Sequence, residues 1–142
     1  MTLIYLVMAL APALAIALYI YWKDKHEKEP VGVLVMCFIL GVLICFPAGF
    51  WNSGVFEIFK FDLADKNNDM LVSFFMAFFV VGLGEELLKY LVVVLYAFRK
   101  PSFNEPFDGI VYAVMVSLGF AAFENVIYVM EGGLGVAIMR MF

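Results

Sequence analysis

The sequence predicts an all-α, polytopic membrane protein with four transmembrane helices, and three observations carry that prediction. Of 142 residues, 65% are hydrophobic and only 15% are charged, well below the roughly one-quarter charged residues of a soluble domain. The apolar residues fall into runs at about 2–22, 31–51, 70–98 and 109–130, each reaching the ~20 residues that a helix needs to cross ~30 Å of hydrocarbon. The connections contain no repeats, no low-complexity tracts and no linker long enough to divide the chain, so residues 1–142 read as a single membrane domain.

The first run offers small residues at A-x-A spacing between Ala9 and Ala17, as a signal-peptide cleavage site would. No Lys or Arg precedes the run, however, and it continues unbroken to Trp22, so it reads as a retained span with Pro12 as a possible kink. In the second run, Gly32, Gly41, Pro47 and Gly49 are residues typical of close helix contacts in membranes, which assigns this span to scaffold. Cys37 and Cys45 share that helix eight positions apart, about 12 Å along its axis, too far to bridge. They read as buried apolar thiols.

The connection 52–69 carries the aromatic string VFEIFKF, which suits a short amphipathic segment lying in the interface. His26 is the only histidine, and among the charges of KDKHEKEP it reads as a solvated loop residue. Lys23, Lys25, Lys28, Arg99 and Lys100 lie on one side of the predicted topology, against Lys60, Lys66 and Arg140 on the other. That bias places both termini on the outer side. The net charge of −4 is spread over loops and spans, with no basic stripe for nucleic acid.

The third run holds the chemistry. GEELLKY places Glu85, Glu86 and Lys89 near its middle, where three ionised groups oppose insertion by roughly 7–10 kcal/mol. The 17 Leu, Val and Phe residues of the run return about 5–10 kcal/mol on the same scale, so insertion is close to balanced. On a helix Lys89 lies one turn from both glutamates and can screen either, not both.

The fourth run adds Glu124 in FENVIY. Glu85 is 14 residues before Arg99 and Glu124 is 15 residues after Gly109, so the two acidic elements should lie at one depth on antiparallel neighbours. Three glutamates and a lysine are therefore expected to converge on one midmembrane cavity. Ser117, Ala121, Glu124 and Tyr128 share a helix face, Gly82 and Gly84 permit a close approach by a helix or an extended substrate, and Asn125 adds an amide donor.

Intramembrane ionisable residues are functional by default. Such a carboxylate group can activate water with one member as base and another as acid, can bind a divalent metal, or can carry protons or cations across the bilayer. The residues leave three readings open: catalysis, a proton- or cation-coupled small transporter, and an inactive ion-pair network that fixes helix register. Against transport, small four-span exporters usually carry their essential acid in the first span, which here is uncharged.

EELLK, the hairpin that follows it, and FDGIVYAVMVSLGFAAFENVIY together resemble the PrsW family of intramembrane proteases, most specifically over residues 82–131. The resemblance implies that Glu85, Glu86 and Lys89 form the family's Glu-Glu-x-x-Lys motif, with catalytic roles shared with Glu124. It implies that Glu124 and Tyr128 match its Phe-Glu-x-x-x-Tyr element, and Asp108 with Gly109 its Asp-Gly pair. It further implies a multi-pass protein of the bacterial cytoplasmic membrane that acts on membrane-anchored anti-sigma factors.

Asn125 and Tyr128 become candidate substrate donors. Zinc is the implied cofactor, with Glu85, Glu86 and Glu124 as candidate ligands, although a metal-free glutamate mechanism is also argued for the wider group. The family pattern continues into further spans that carry histidines, and this chain lacks them, which leaves two readings, a piece of a larger helical bundle or a short relative that has lost catalysis, of which the first is the expectation.

Overall fold

In a computed structural model that describes residues 2–23, 28–62, 65 and 69–139, every regular element is a helix. Helix α1 is Thr2–Lys23 and α2 is Val31–Phe59. The third span is composite: α3 (Met70–Phe75), a π-helical segment (Met76–Gly82), α4 (Leu83–Leu95) and a 3-10 turn (Ala97–Arg99). Helix α5 is Pro106–Met139. Four stretches are long and apolar enough to cross a membrane: Leu3–Lys23, Val31–Phe59, Met70–Arg99 and Pro106–Gly133. Helices are what such sequences form in oil, because each backbone N–H and C=O is satisfied within its own segment. His26, Lys25, Lys66 and Arg140, on which the loop and orientation readings partly rest, lie outside the described residues.

Helix α2 does not stop at Trp51. It runs through most of the aromatic string to Phe59, so that string forms the last turns of α2 rather than a separate interfacial segment. The stop is local chemistry. Lys60 takes a left-handed conformation (φ 49°) and its N–H donates to the Glu57 carbonyl, while the Phe61 N–H donates to the Phe56 carbonyl. These two bonds, with the Phe56 and Phe61 rings 5.9 Å apart, make a Schellman ending with its hydrophobic contact.

Helix α5 starts at Pro106, whose missing N–H costs nothing at a first helical position. Asp108, in the first turn, reaches back to accept from the N–H groups of Asn104 (2.8 Å) and Glu105 (2.7 Å), the acidic half of a capping box. The helix bends at Gly133, where φ is 66° and ψ −154°, a conformation closed to side chains with a Cβ.

Helix α5 is the centre of the bundle, with α1 and α2 packed along it. Two glycines decide how close α2 comes. A Cβ on Gly41 would overlap the Val116 carbonyl, and one on Gly119 would overlap the Phe38 carbonyl. Backbone meets backbone at this crossing, as small residues allow in membranes. Around it Cys37, Val111, Tyr112 and Val116 are fully buried, while Leu3, Leu14, Phe50 and Met70 face outward, as lipid contact permits.

At the loop end of the bundle a buried polar cluster joins the first connection to α5. Glu29 is 4% exposed and Asp108 3%. The Tyr112 hydroxyl donates to Glu29 Oε2 and also lies 2.7 Å from Ser102 Oγ. Burial, reinforced by the nearby Asp108 carboxylate, pushes the Glu29 carboxyl above the ordinary carboxylate value, against the Tyr112 bond, which pulls it down. A carboxyl whose folded pKa is raised stabilises the fold at pH below its unfolded value, and that contribution is lost as pH rises through the folded value. Stability in detergent is therefore expected to fall as pH rises from the ordinary carboxylate range through the raised value of Glu29. Glu29→Gln is expected to flatten that dependence; an unchanged pH profile would reject the assignment.

Candidate active site

Glu85 and Glu124 come from antiparallel neighbours and line one cleft of about 310 Å³, together with Tyr128, Asn52 and Cys45. That volume is at the small end for ligand pockets. Glu85 stands in the first turn of α4, directly after the π-helical segment. A π segment widens the helix locally and re-phases everything that follows it, so it sets the direction in which Glu85 points. The segment is tied to α2 by the Trp51 indole, whose Nε1 donates to the Val80 carbonyl at 3.2 Å. Gly84 leaves room for that indole, since a Cβ there would sit 3.0 Å from Nε1. The close approach that Gly84 allows is therefore made by Trp51 of α2.

One residue beyond Trp51, Asn52 donates from Nδ2 to Glu85 Oε1 at 3.3 Å. The Cys45 thiol sits in the same wall and donates to the carbonyls of Gly41 and Phe120, both at 3.6 Å, so it behaves as a hydrogen-bonded wall group.

The three glutamates do not share one cavity. Consecutive helical residues are about 100° apart, and α4 lies against the face of α5 that carries Ser117, Glu124 and Tyr128. Glu85 falls on one flank of α4 and Glu86 on the other. Glu86 and Lys89 line a second groove with Tyr90, Gly109, Ala113 and Ser117. Lys89 pairs with Glu86 at 2.8 Å, and its ammonium lies 4.3 Å from the Phe120 ring centroid. Glu86 is 70% exposed and Lys89 16%. The lysine that could screen either acid is thus committed to Glu86, while Glu85 has a neutral amide as its partner.

Asn125 points elsewhere. Its Nδ2 donates to the Ala9 carbonyl of α1 at 3.4 Å, so it ties α1 to α5, and it is not among the residues that line the cleft with Glu85 and Glu124. Asn52 was the residue the sequence reading passed over. A span ended at Trp51 puts Asn52 in a loop, as the turn-like string Asn52-Ser53-Gly54 suggests, yet the helix runs on to Phe59 and carries Asn52 into the wall of the cleft.

Zinc needs at least three protein ligands in a catalytic site. Among the described residues no group of three or more His, Cys, Asp or Glu side chains is placed to hold a metal, and with Glu86 on the far flank the cleft offers two carboxylates. The donor set on these residues does not fit a complete zinc site.

A family model described as PrsW family intramembrane metalloprotease matches residues 29–142. Proteins named Protease PrsW from Oceanobacillus iheyensis and Bacillus subtilis are 37% and 36% identical to this chain over 131 residues, covering 92% of it and 56% of each relative. One from Clostridioides difficile is 29% identical over 122 residues, covering 86% of this chain and 49% of the relative. The chain thus spans about half the length of the relatives it matches. No solved structure matches it.

Proposed function

The chain belongs to the PrsW family of intramembrane metalloproteases, and on that premise we propose that it carries the carboxylate half of a peptidase site that hydrolyses a membrane-anchored protein within the bilayer. The observation that supports this most directly is the cleft between α4 and α5, lined by Glu85 and Glu124 from two different helices. Glu85 is the base. It takes a proton from water as the water oxygen bonds to the peptide carbonyl carbon. Glu124, facing the same cleft in its protonated form, passes its proton to the departing amide nitrogen as the C–N bond breaks. Tyr128, one turn beyond Glu124, is placed to donate a hydrogen bond to the carbonyl oxygen as charge develops on it.

Lys89 and Glu86 hold each other on the opposite flank of α4, and the Lys89 ammonium over the Phe120 ring ties that flank to α5. The substrate class we assign is a membrane-anchored anti-sigma factor, and the topology one with both termini outside; a zinc ion would need ligands beyond the two carboxylates of this cleft. The relatives compared are all named proteases, so the transporter and inactive-network readings are not carried forward.

The test is co-expression of the full chain with tagged membrane-anchored candidates in cells. Glu85→Ala and Glu124→Ala are each expected to abolish the cleavage that the unaltered protein produces. Cleavage that persists in both variants would overturn the proposal.

A further inference from the structure

Asn52 has two polar ends, and only one of them is used. Its Nδ2 donates to Glu85 Oε1 at 3.3 Å, whereas Oδ1 is buried and has no hydrogen-bond partner among the described residues. An unpaired buried amide carbonyl is destabilising, and native structures pair roughly 90% or more of such groups. A donor therefore belongs at Oδ1. Three nearby donors are committed elsewhere: the Cys45 thiol to Gly41 and Phe120, the Trp51 indole to Val80, and Lys89 to Glu86 on the far flank. The cleft, whose wall Asn52 shares with Glu85, Glu124 and Tyr128, is where a donor to Oδ1 would stand.

We infer that Asn52 is a positioning residue of this cleft, holding the Glu85 carboxylate through its amide N–H while its carbonyl Oδ1 accepts one hydrogen of the water that Glu85 activates. The inference rests on the hydrolytic reading above. A water molecule has two hydrogens, and a base that takes one leaves the other free to turn. An acceptor next to the base fixes that second hydrogen and with it the direction of the attacking lone pair.

The placement is also rigid. Trp51, the preceding residue, is bonded to Val80 and seated against Gly84, so the register between Asn52 and Glu85 is set by groups outside the cleft. A residue that acts through another in this way typically contributes roughly 10–100-fold to activity.

Two measurements on the full chain in lipid nanodiscs test this. In the first, the carboxylate stretching band of Glu85 is located in the infrared spectrum by its disappearance in Glu85→Gln. Asn52→Leu is expected to shift that band and Asn52→Gln to keep it near its original position; an identical band in Asn52→Leu would overturn the contact. In the second, kinetics are followed on a membrane protein whose cleavage depends on Glu85. Asn52→Leu is expected to lower kcat roughly 10–100-fold with KM changed by no more than about twofold, and Asn52→Gln to recover most of the rate.

The nearly isosteric Asn52→Asp keeps the acceptor, removes the donor and is expected to lose cleavage as well. A raised KM at unchanged kcat in Asn52→Leu, or an unchanged kcat in Asn52→Asp, would overturn the positioning role. If no Glu85-dependent cleavage of any membrane protein is found, the hydrolytic reading falls and the water role falls with it. The infrared comparison then still decides whether Asn52 holds Glu85.

Discussion

Gly119→Val is expected to unseat α2 from α5 and to destabilise the protein by about 3 kcal/mol, the upper end of the range for over-packed sites. The reason is the nature of the neighbour. A Cβ at Gly119 would overlap the Phe38 carbonyl, and across the same crossing a Cβ at Gly41 would overlap the Val116 carbonyl. A flexible side chain could swing away from an added methyl, but a carbonyl in the middle of a helix can move only with the helix. Separating α2 from α5 would also carry Asn52 and Cys45 away from Glu85 and Glu124, so any activity of the site should fall with stability.

Gly49→Ala is the control, because nothing lies within 4 Å of a Cβ at Gly49. Replacing that helical glycine should leave stability unchanged or raise it by a few tenths to about 1 kcal/mol. Unfolding in detergent micelles, followed by tryptophan fluorescence, separates the two variants. Wild-type stability in Gly119→Val would mean that the crossing is looser than its backbone contacts require.

The second large effect distinguishes adjacent carboxylates. Glu85→Gln keeps shape and can still bond to Asn52, yet it removes the base, so kcat is expected to drop about 10²–10⁴-fold with thermal stability held. Glu86→Gln breaks the 2.8 Å pair with Lys89 on the flank away from the cleft and is expected to produce the smaller loss of kcat. Single-turnover cleavage of a Glu85-dependent substrate reads both variants. A silent Glu85→Gln beside an inactive Glu86→Gln would transfer the base to Glu86 and move the reaction to the second groove.

Much of the molecule was legible before any fold was known, and the reason is additivity. Whether a segment enters a membrane depends on a sum over its own residues, so the hydropathy of Met70–Arg99 and Pro106–Gly133 and the expense of Glu85, Glu86 and Lys89 within one of them can be read from the chain alone. Depth is equally local, because it counts residues from a shared loop. The ends of the helices were less legible. Helix α2 passes Trp51 and stops only where Lys60 turns left-handed and Phe61 folds back on Phe56, an arrangement with no glycine to announce it.

Azimuth is the quantity the chain alone did not determine. Which way Glu85 faces depends on a π-helical segment that re-phases α4, and which residues it meets depends on α2, anchored by Trp51, lying beside it. Those contacts join segments about thirty residues apart in sequence and send Glu85 to Asn52, while Asn125 of α5 reaches the Ala9 carbonyl of α1 at the other end of the chain. The sequence by itself decided that charge would stand inside apolar spans and that Glu85 and Glu124 would stand level with each other on neighbouring helices. Only the packing of four helices decided which charges share a cleft, because a rotation of about 100° per residue turns neighbours in the chain into strangers in space.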